Sequence, residues 1–262
     1  VVAEAPIDSL FVAGALPGVL MIAALGVYCY WRSRGLPRPK HAASAAEAWR
    51  AIVAARWDLP LPVVVLGGIY GGFFAVSEAA AVTAVYVLLV EVVVLREVPW
   101  RDVPRIMRES MVLVGAILAI LGVSLASTNL MIDTGVPQQL FAFVSGYITG
   151  PTTFLVALLV FLLILGAILD IFSATVLVVP LLLPIAAQYG VDPIHLGIVF
   201  LAAMELGYLT PPVGLNLFIA SHRFEKDITE IYWATQPFLI VSFVAVIIIA
   251  FWPDLSLMLL DR

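Results

Sequence analysis

The residues of this chain best suited to chemistry are two carboxylates and one interrupted apolar run. Between Glu109 and His222 there is no lysine or arginine, and the only carboxylates are Asp133, Asp170, Asp192 and Glu205. Asp133 and Asp192 stand beside turn residues, whereas Asp170 and Glu205 lie inside apolar runs. An ionisable side chain at the centre of a membrane span costs roughly 2.5 to 3.5 kcal/mol on insertion scales, so it is seldom idle. Five residues beyond Glu205, the segment Thr210-Pro211-Pro212-Val213-Gly214-Leu215-Asn216 interrupts a run whose flanks are 194–209 and 217–221. Pro211 and Pro212 have no N–H to donate, so the carbonyls of Gly207 and Tyr208 are expected to lose their helical partners. Thr210, preceding proline, is pushed out of the α region. In hydrocarbon an orphaned backbone group costs on the order of several kcal/mol, so such a break needs protein, trapped water or a bound ion to satisfy it.

A second break offers the same parts. The turn Leu169-Asp170-Ile171-Phe172-Ser173-Ala174-Thr175 joins apolar runs at 152–169 and 173–187 and is too tight and too apolar for a solvent loop. At both breaks one helix ends, exposing carbonyl oxygens, and another begins, exposing N–H groups. The first kind of end attracts a cation and the second an anion, a device that ion-coupled carriers use at mid-membrane. Gly214 permits close backbone approach, and the Asn216 amide both donates and accepts. Against this stand plainer readings. Asp170 and Glu205 are then protonated or hydrogen-bonded to a neighbouring helix, and Asn216 makes an ordinary interhelical hydrogen bond.

The elements that must position these residues are membrane helices. The chain is 63% hydrophobic and 12% charged, with a mean hydropathy of +1.11 and repeated apolar runs long enough for a bilayer core of roughly 30 Å. The fold class is an all-α polytopic membrane protein. Cys29 is the single cysteine, so neither a disulfide framework nor a thiolate cluster can form within the chain. No paired-histidine zinc motif and no phosphate-binding loop occurs, and a nucleic-acid partner has no basic surface to bind. The thirteen Lys and Arg residues fall in four places: six from Arg32 to Arg56, four from Arg96 to Arg108, Arg223 with Lys226, and Arg262. The positive-inside rule puts the first three groups in the cytoplasm.

Seven regions follow. Residues 1–40 hold a span at about 10–31 and a basic loop. Residues 41–58 form an interfacial helix with Trp49, Ile52, Val53 and Trp57 on one stripe. Residues 59–98 make a helical hairpin divided at Gly71, Gly72, Ser77 and Glu78, with Gly67, Gly68, Gly71 and Gly72 as a smooth packing face. Residues 99–109 form a second surface helix, and 110–150 an outward span with an external connection. Residues 151–222 contain a hairpin turning at 170–173 and the broken helix, and 223–262 a loop with a last span at 237–252. An even number of crossings must separate Arg108 from Arg223, which both four full spans and a re-entrant hairpin satisfy; the tightness of the Asp170 turn favours the hairpin.

At these residues the chain resembles the large membrane permease subunit of tripartite ATP-independent periplasmic (TRAP) transporters, in its C-terminal part. The similarity covers about 10–252 and is carried by GGIYGGFFAVSEAAAV (67–82), LDIFSATVLVVPLLLPIA (169–186), GVDPIHLGIVF (190–200) and LGYLTPPVGLNLFIAS (206–221). The family usually has Thr-Pro-Thr-Glu where this chain has Ala75-Val76-Ser77-Glu78.

The resemblance implies sodium-coupled import of an organic anion, such as a C4-dicarboxylate or sialic acid, by an elevator-type domain of two inverted repeats in the bacterial inner membrane. It also implies two partners, a periplasmic solute-binding protein and a small membrane subunit, and makes the surface helices the arms joining a scaffold to the moving domain. No organic cofactor is implied, only a sodium ion. Sodium ligands are then expected among Gly166, Asp170, Ser173, Gly207, Thr210 and Gly214. Substrate contacts are expected from Ser173, Ala174, Thr175, Pro212, Val213, Gly214 and Asn216, with Glu205 a proton carrier or structural carboxylate. One hairpin and one broken helix make half such a site, so Val1 is expected to be internal to a longer polypeptide, with an N-terminal half elsewhere. A proton-driven carrier using Asp170 and Glu205, an intramembrane enzyme and a structural membrane subunit are the competing readings.

Overall fold

The computed structural model describes residues 6–35, 44–169, 171–211 and 214–260, and these form helices joined by short turns. Six are long and apolar enough to cross a membrane. The chain divides into two compact units, one comprising 1–34 with 117–262 and the other 35–116.

The smaller unit opens with α2 (Ala45–Ala54), whose Ser44 hydroxyl accepts from the Glu47 N–H while the Glu47 carboxylate accepts from the Ser44 N–H. This reciprocal cap starts the helix, and Trp49, Ile52 and Val53 remain exposed on it. Next come α3 (Pro60–Tyr70) and α4 (Val76–Leu89), extended by a π-helical turn at Val90–Val94. At 11 residues, α3 rises only about 17 Å, little more than half the hydrocarbon thickness. The turn between them is held by the Gly68 carbonyl, which accepts from the N–H groups of both Phe73 and Phe74, and the Phe74 ring covers Gly68. Glu78 accepts from the Ala75 N–H at 3.0 Å, so this turn has half of a capping box, alanine having no hydroxyl to complete it.

One expectation fails here. The surface segment 99–109 and the following span are not separate elements, because α5 runs unbroken from Val103 to Asp133 over 31 residues. Its Pro104 lies in the first turn, where no N–H is needed, and no helix breaker follows until Gly115.

In the larger unit α6 (Val136–Ser145) leads to α7 (Pro151–Ile168), α8 (Ile171–Gln188) and α9 (Pro193–Gly207). The chain then continues through α10 (Leu215–Phe224), α11 (Ile228–Phe251) and the short α12 (Asp254–Leu257). The core lies where α7 packs on α9, with Leu162, Ala174, Val199, Ala203, Met204 and Val246 fully buried. α1 (Ile7–Ser33) packs against α9, α11 and α12. Tyr189 stacks on Phe154 at 4.8 Å between ring centroids and donates to the Ile148 carbonyl at 3.1 Å. That contact ties the end of α8 to the start of α7. With 18 residues each, α7 and α8 rise about 27 Å, so length is compatible with both crossing arrangements.

Asp192, read from sequence as a loop residue, is the N-cap of α9: its Oδ1 accepts from the N–H of Ile194 at 2.8 Å and of His195 at 3.3 Å. Asp192→Ala is expected to destabilise the protein by about 1 kcal/mol. A thermal unfolding midpoint below that of the exposed control Asp8→Ala would register this, and equal midpoints would remove the cap from the account.

Candidate ion and substrate site

The site is organised by a crossing of two helix ends. α7 and α9 meet at Gly166 and Gly207, both buried. A Cβ on Gly207 would stand 2.7 Å from the Cα and carbonyl carbon of Gly166, and one on Gly166 would stand 3.1 Å from the Cα of Gly207 and the Met204 oxygen. Only glycine permits this approach, because the obstacle is backbone and cannot rotate away. Each helix end carries about half a unit of negative charge, so the crossing concentrates negative potential where little water can screen it.

Beyond the crossing α9 tightens before it breaks. The N–H of Leu209 donates to Leu206 at 3.0 Å and that of Thr210 to Gly207 at 2.9 Å, both i to i+3 bonds of the kind that close helix ends. The Gly207 carbonyl, expected to be orphaned by the prolines, is therefore taken up by Thr210, and only its second lone pair remains for an ion. The Thr210 hydroxyl donates to the Leu206 carbonyl at 3.0 Å, leaving its oxygen able to accept. Gly214 then returns the chain toward α7, its N–H donating to the Ala167 carbonyl at 3.4 Å. It adopts φ 52° and ψ 82°, in the left-handed region, and a Cβ there would sit 2.9 Å from the Thr210 oxygen and 3.0 Å from the Tyr208 oxygen. Gly166, Gly207, Thr210 and Gly214 are thus gathered around one place.

The remaining candidates are distributed differently. Asn216, in the first turn of α10, donates from Nδ2 to the Glu205 Oε1 at 3.4 Å across the break, so each of these two residues has the other as a partner. Ser173 is half-buried in the first turn of α8, next to Ala174, which is fully buried in the core. Thr175 lines a cleft of about 350 Å³ with Ile171, Phe172, Val176, Leu201, Ile117 and Leu121, nearly all apolar. Ala174 thus points into the core and Thr175 into this cleft. Asp170, Pro212 and Val213 lie outside the described residues. Among the described residues no group of three His, Cys, Asp or Glu side chains could hold a metal ion. The oxygens gathered at the crossing are carbonyls and a hydroxyl, which suit a hard cation rather than a transition metal.

Two contributors were missed in the sequence: the Ala167 carbonyl, which anchors Gly214, and the Leu206 carbonyl, which takes up the Thr210 hydroxyl proton. Backbone roles of this kind leave no residue-type signal.

A helical protein with six helices fit to cross the bilayer, whose helix is broken against the end of another, has the build of a multi-pass membrane permease. The chain belongs to the tripartite ATP-independent periplasmic transporter family, DctM component, whose family model matches residues 1–255. It is 35% identical over 260 residues to the C4-dicarboxylate TRAP transporter large permease protein of Rhodobacter capsulatus, covering 98% of this chain and 59% of that one. It is 32% identical over 257 residues to an isethionate TRAP transporter permease of Oleidesulfovibrio alaskensis, covering 97% and 40%. To the sialic acid TRAP transporter large permease protein of Vibrio cholerae it is 30% identical over 263 residues, covering 99% and 61%. The chain therefore spans about 60% of the length of the first and third of these relatives. The family consists of inner-membrane permeases and not of enzymes, and this chain is a multi-pass protein of the inner membrane.

Gly207→Ala and Gly166→Ala are each expected to destabilise the protein by about 1–3 kcal/mol through overpacking of backbone against backbone. Gly67→Ala, whose Cβ meets nothing within 4 Å, is the matched control. Thermal midpoints of the purified permease check this, and a neutral Gly207→Ala would show that the crossing tolerates separation.

Proposed function

We propose that this chain is the C-terminal part of a permease that imports an organic anion by sodium-coupled secondary transport. The observation that carries the reading is the abutment of two helix C-termini at Gly166 and Gly207. Two negative dipole ends repel in a poorly screened interior, and a monovalent cation between them removes that cost. The cation is coordinated by carbonyl oxygens around Gly166, Gly207 and Gly214 and by the Thr210 hydroxyl, with Asp170 and Ser173 completing the set. The anionic group of the substrate meets the first turn of α8, at Ser173 to Thr175, and that of α10, where the N–H groups of Leu215 and Asn216 precede the first helical bonds, with Pro212, Val213 and Gly214 shaping its wall. Cation and anion then lie on opposite poles of the same breaks, so occupancy by one favours the other, which is the coupling a symporter needs.

Relatives named for a C4-dicarboxylate, isethionate and sialic acid support a carboxylate or comparable organic anion as cargo. The second repeat, related to this one by inversion, belongs to the N-terminal portion present in the longer relatives, and the paired repeats move as an elevator. A periplasmic binding protein delivers the substrate and a small membrane subunit braces the scaffold. Glu205 serves as a structural carboxylate, a reading favoured by its bond from Asn216.

In proteoliposomes carrying the whole transporter, uptake is expected to disappear when sodium is replaced by choline at constant pH. Thr210→Val should raise the half-saturating sodium concentration by about tenfold, the loss of one cation ligand. Uptake that persists in choline and follows a pH gradient instead would sink the sodium reading in favour of proton coupling.

A further inference from the structure

α9 has a second fixed point, at the end opposite its break. His195 sits in the first turn of this helix with 2% of its surface exposed, although no part of the proposed site uses it. Its Nε2 lies 3.2 Å from the Ala250 carbonyl oxygen and its Nδ1 lies 3.3 Å from the Ser256 hydroxyl. A carbonyl has no proton to give, so in the neutral imidazole Nε2 donates and Nδ1 accepts the proton of Ser256, which is 1% exposed. Ala250 lies in the last turn of α11, where carbonyls lack helical partners, so the imidazole also caps α11. One side chain thereby joins the start of α9, the end of α11 and α12.

We infer that His195 is a positioning residue that fixes α9 lengthwise, so that its far end meets α7 in the register that gathers the cation-facing oxygens. From His195 to Gly207 is twelve residues, about 18 Å of helix, and a hydrogen-bonded helix is stiff along its axis. The crossing at Gly207 tolerates no bulk and excludes approach, but two glycines present nothing that resists sliding. Resistance comes from the side chains of α9 packed against α7, from the Gly214 N–H on the Ala167 carbonyl at the break, and at the opposite end from His195, which makes two directional bonds with groups on other helices. Asp192, which caps the same first turn, bonds only within its own segment among the described residues and cannot supply it. This inference rests on the sodium-coupled reading for its functional consequence, while the mechanical part does not.

The test uses the whole transporter with His195→Leu, which removes both bonds at similar bulk, His195→Gln, which keeps a donor and an acceptor, and Ser256→Ala, which removes one bond. The half-saturating sodium concentration is expected to rise about tenfold in His195→Leu and about threefold in Ser256→Ala, and to return to within about twofold of wild type in His195→Gln. The labelling rate of a cysteine placed at Thr210, in a Cys29→Ser background, reads the register without reference to sodium and should rise in the same order. A merely structural histidine would lower maximal uptake and the amount of folded protein while leaving sodium affinity and labelling unchanged, and that result overturns the inference. Where His195→Leu fails to fold, Ser256→Ala decides in the same way. Sodium-independent uptake by the wild type, with labelling still responsive to His195, would defeat the coupling reading and leave the tether standing.

Discussion

The near contact of backbone with backbone at Gly166 and Gly207 is the constraint from which the arrangement of the larger unit follows. Side chains normally hold helices apart and let their axes adjust; where only hydrogens intervene, the crossing point is fixed. Two features give this crossing consequences. It lies at the ends of α7 and α9 rather than at their middles, so the dipoles of both helices terminate beside one another. It also lies immediately before two breaks in the helices, so the next helices, α8 and α10, begin soon after in the chain and present ends of the opposite sign. Packing and electrostatics are therefore set by the same two glycines. Gly214 adds the third point, its N–H reaching the Ala167 carbonyl at 3.4 Å and closing the break back onto α7.

How much of this was legible in the sequence depends on the range of the interaction concerned. Hydropathy alone gave the membrane class, because burial in lipid is a property of each segment by itself. The break in the helix was equally readable: Pro211 and Pro212 are local instructions, and α9 and α10 end and begin on either side of them. The same local logic misled at Gly207, because it counted lost i to i+4 donors without the i to i+3 turn by which Thr210 replaces them. It misled again at 99–109, where charged and apolar residues in alternation look like a surface helix but contain nothing to stop one helix running on through Glu109 into the span. The crossing could not be read from the residues themselves; only the resemblance put Gly166 and Gly207 in one set. Gly166 and Gly207 lie in different apolar runs, and glycine in such runs is as common in plain packing as in close approach. His195 is hidden for the same reason: its partners are 55 and 61 residues away, and from the sequence it reads as one of three scattered histidines at loop-like positions.

The break is also less needy than a pair of prolines suggests, and that bears on the kind of ligand it can hold. Of the two carbonyls that Pro211 and Pro212 deprive of helical partners, that of Gly207 is taken up by Thr210; beside it the Leu206 carbonyl accepts from the N–H of Leu209 and the Thr210 hydroxyl, and the Glu205 carboxylate from Asn216. What remains is a set of second lone pairs and a hydroxyl oxygen, each already partly committed. Such a set competes only weakly with water for a cation. For a structural ion that would be a defect. A coupling ion must leave on every cycle, and for it the partial commitment is useful, because the groups around an emptied site fall back on partners they already have instead of being left bare in a low-dielectric interior. On the proposed sodium-coupled reading, the empty and filled states differ little in free energy, so that a modest ion gradient drives the choice between them.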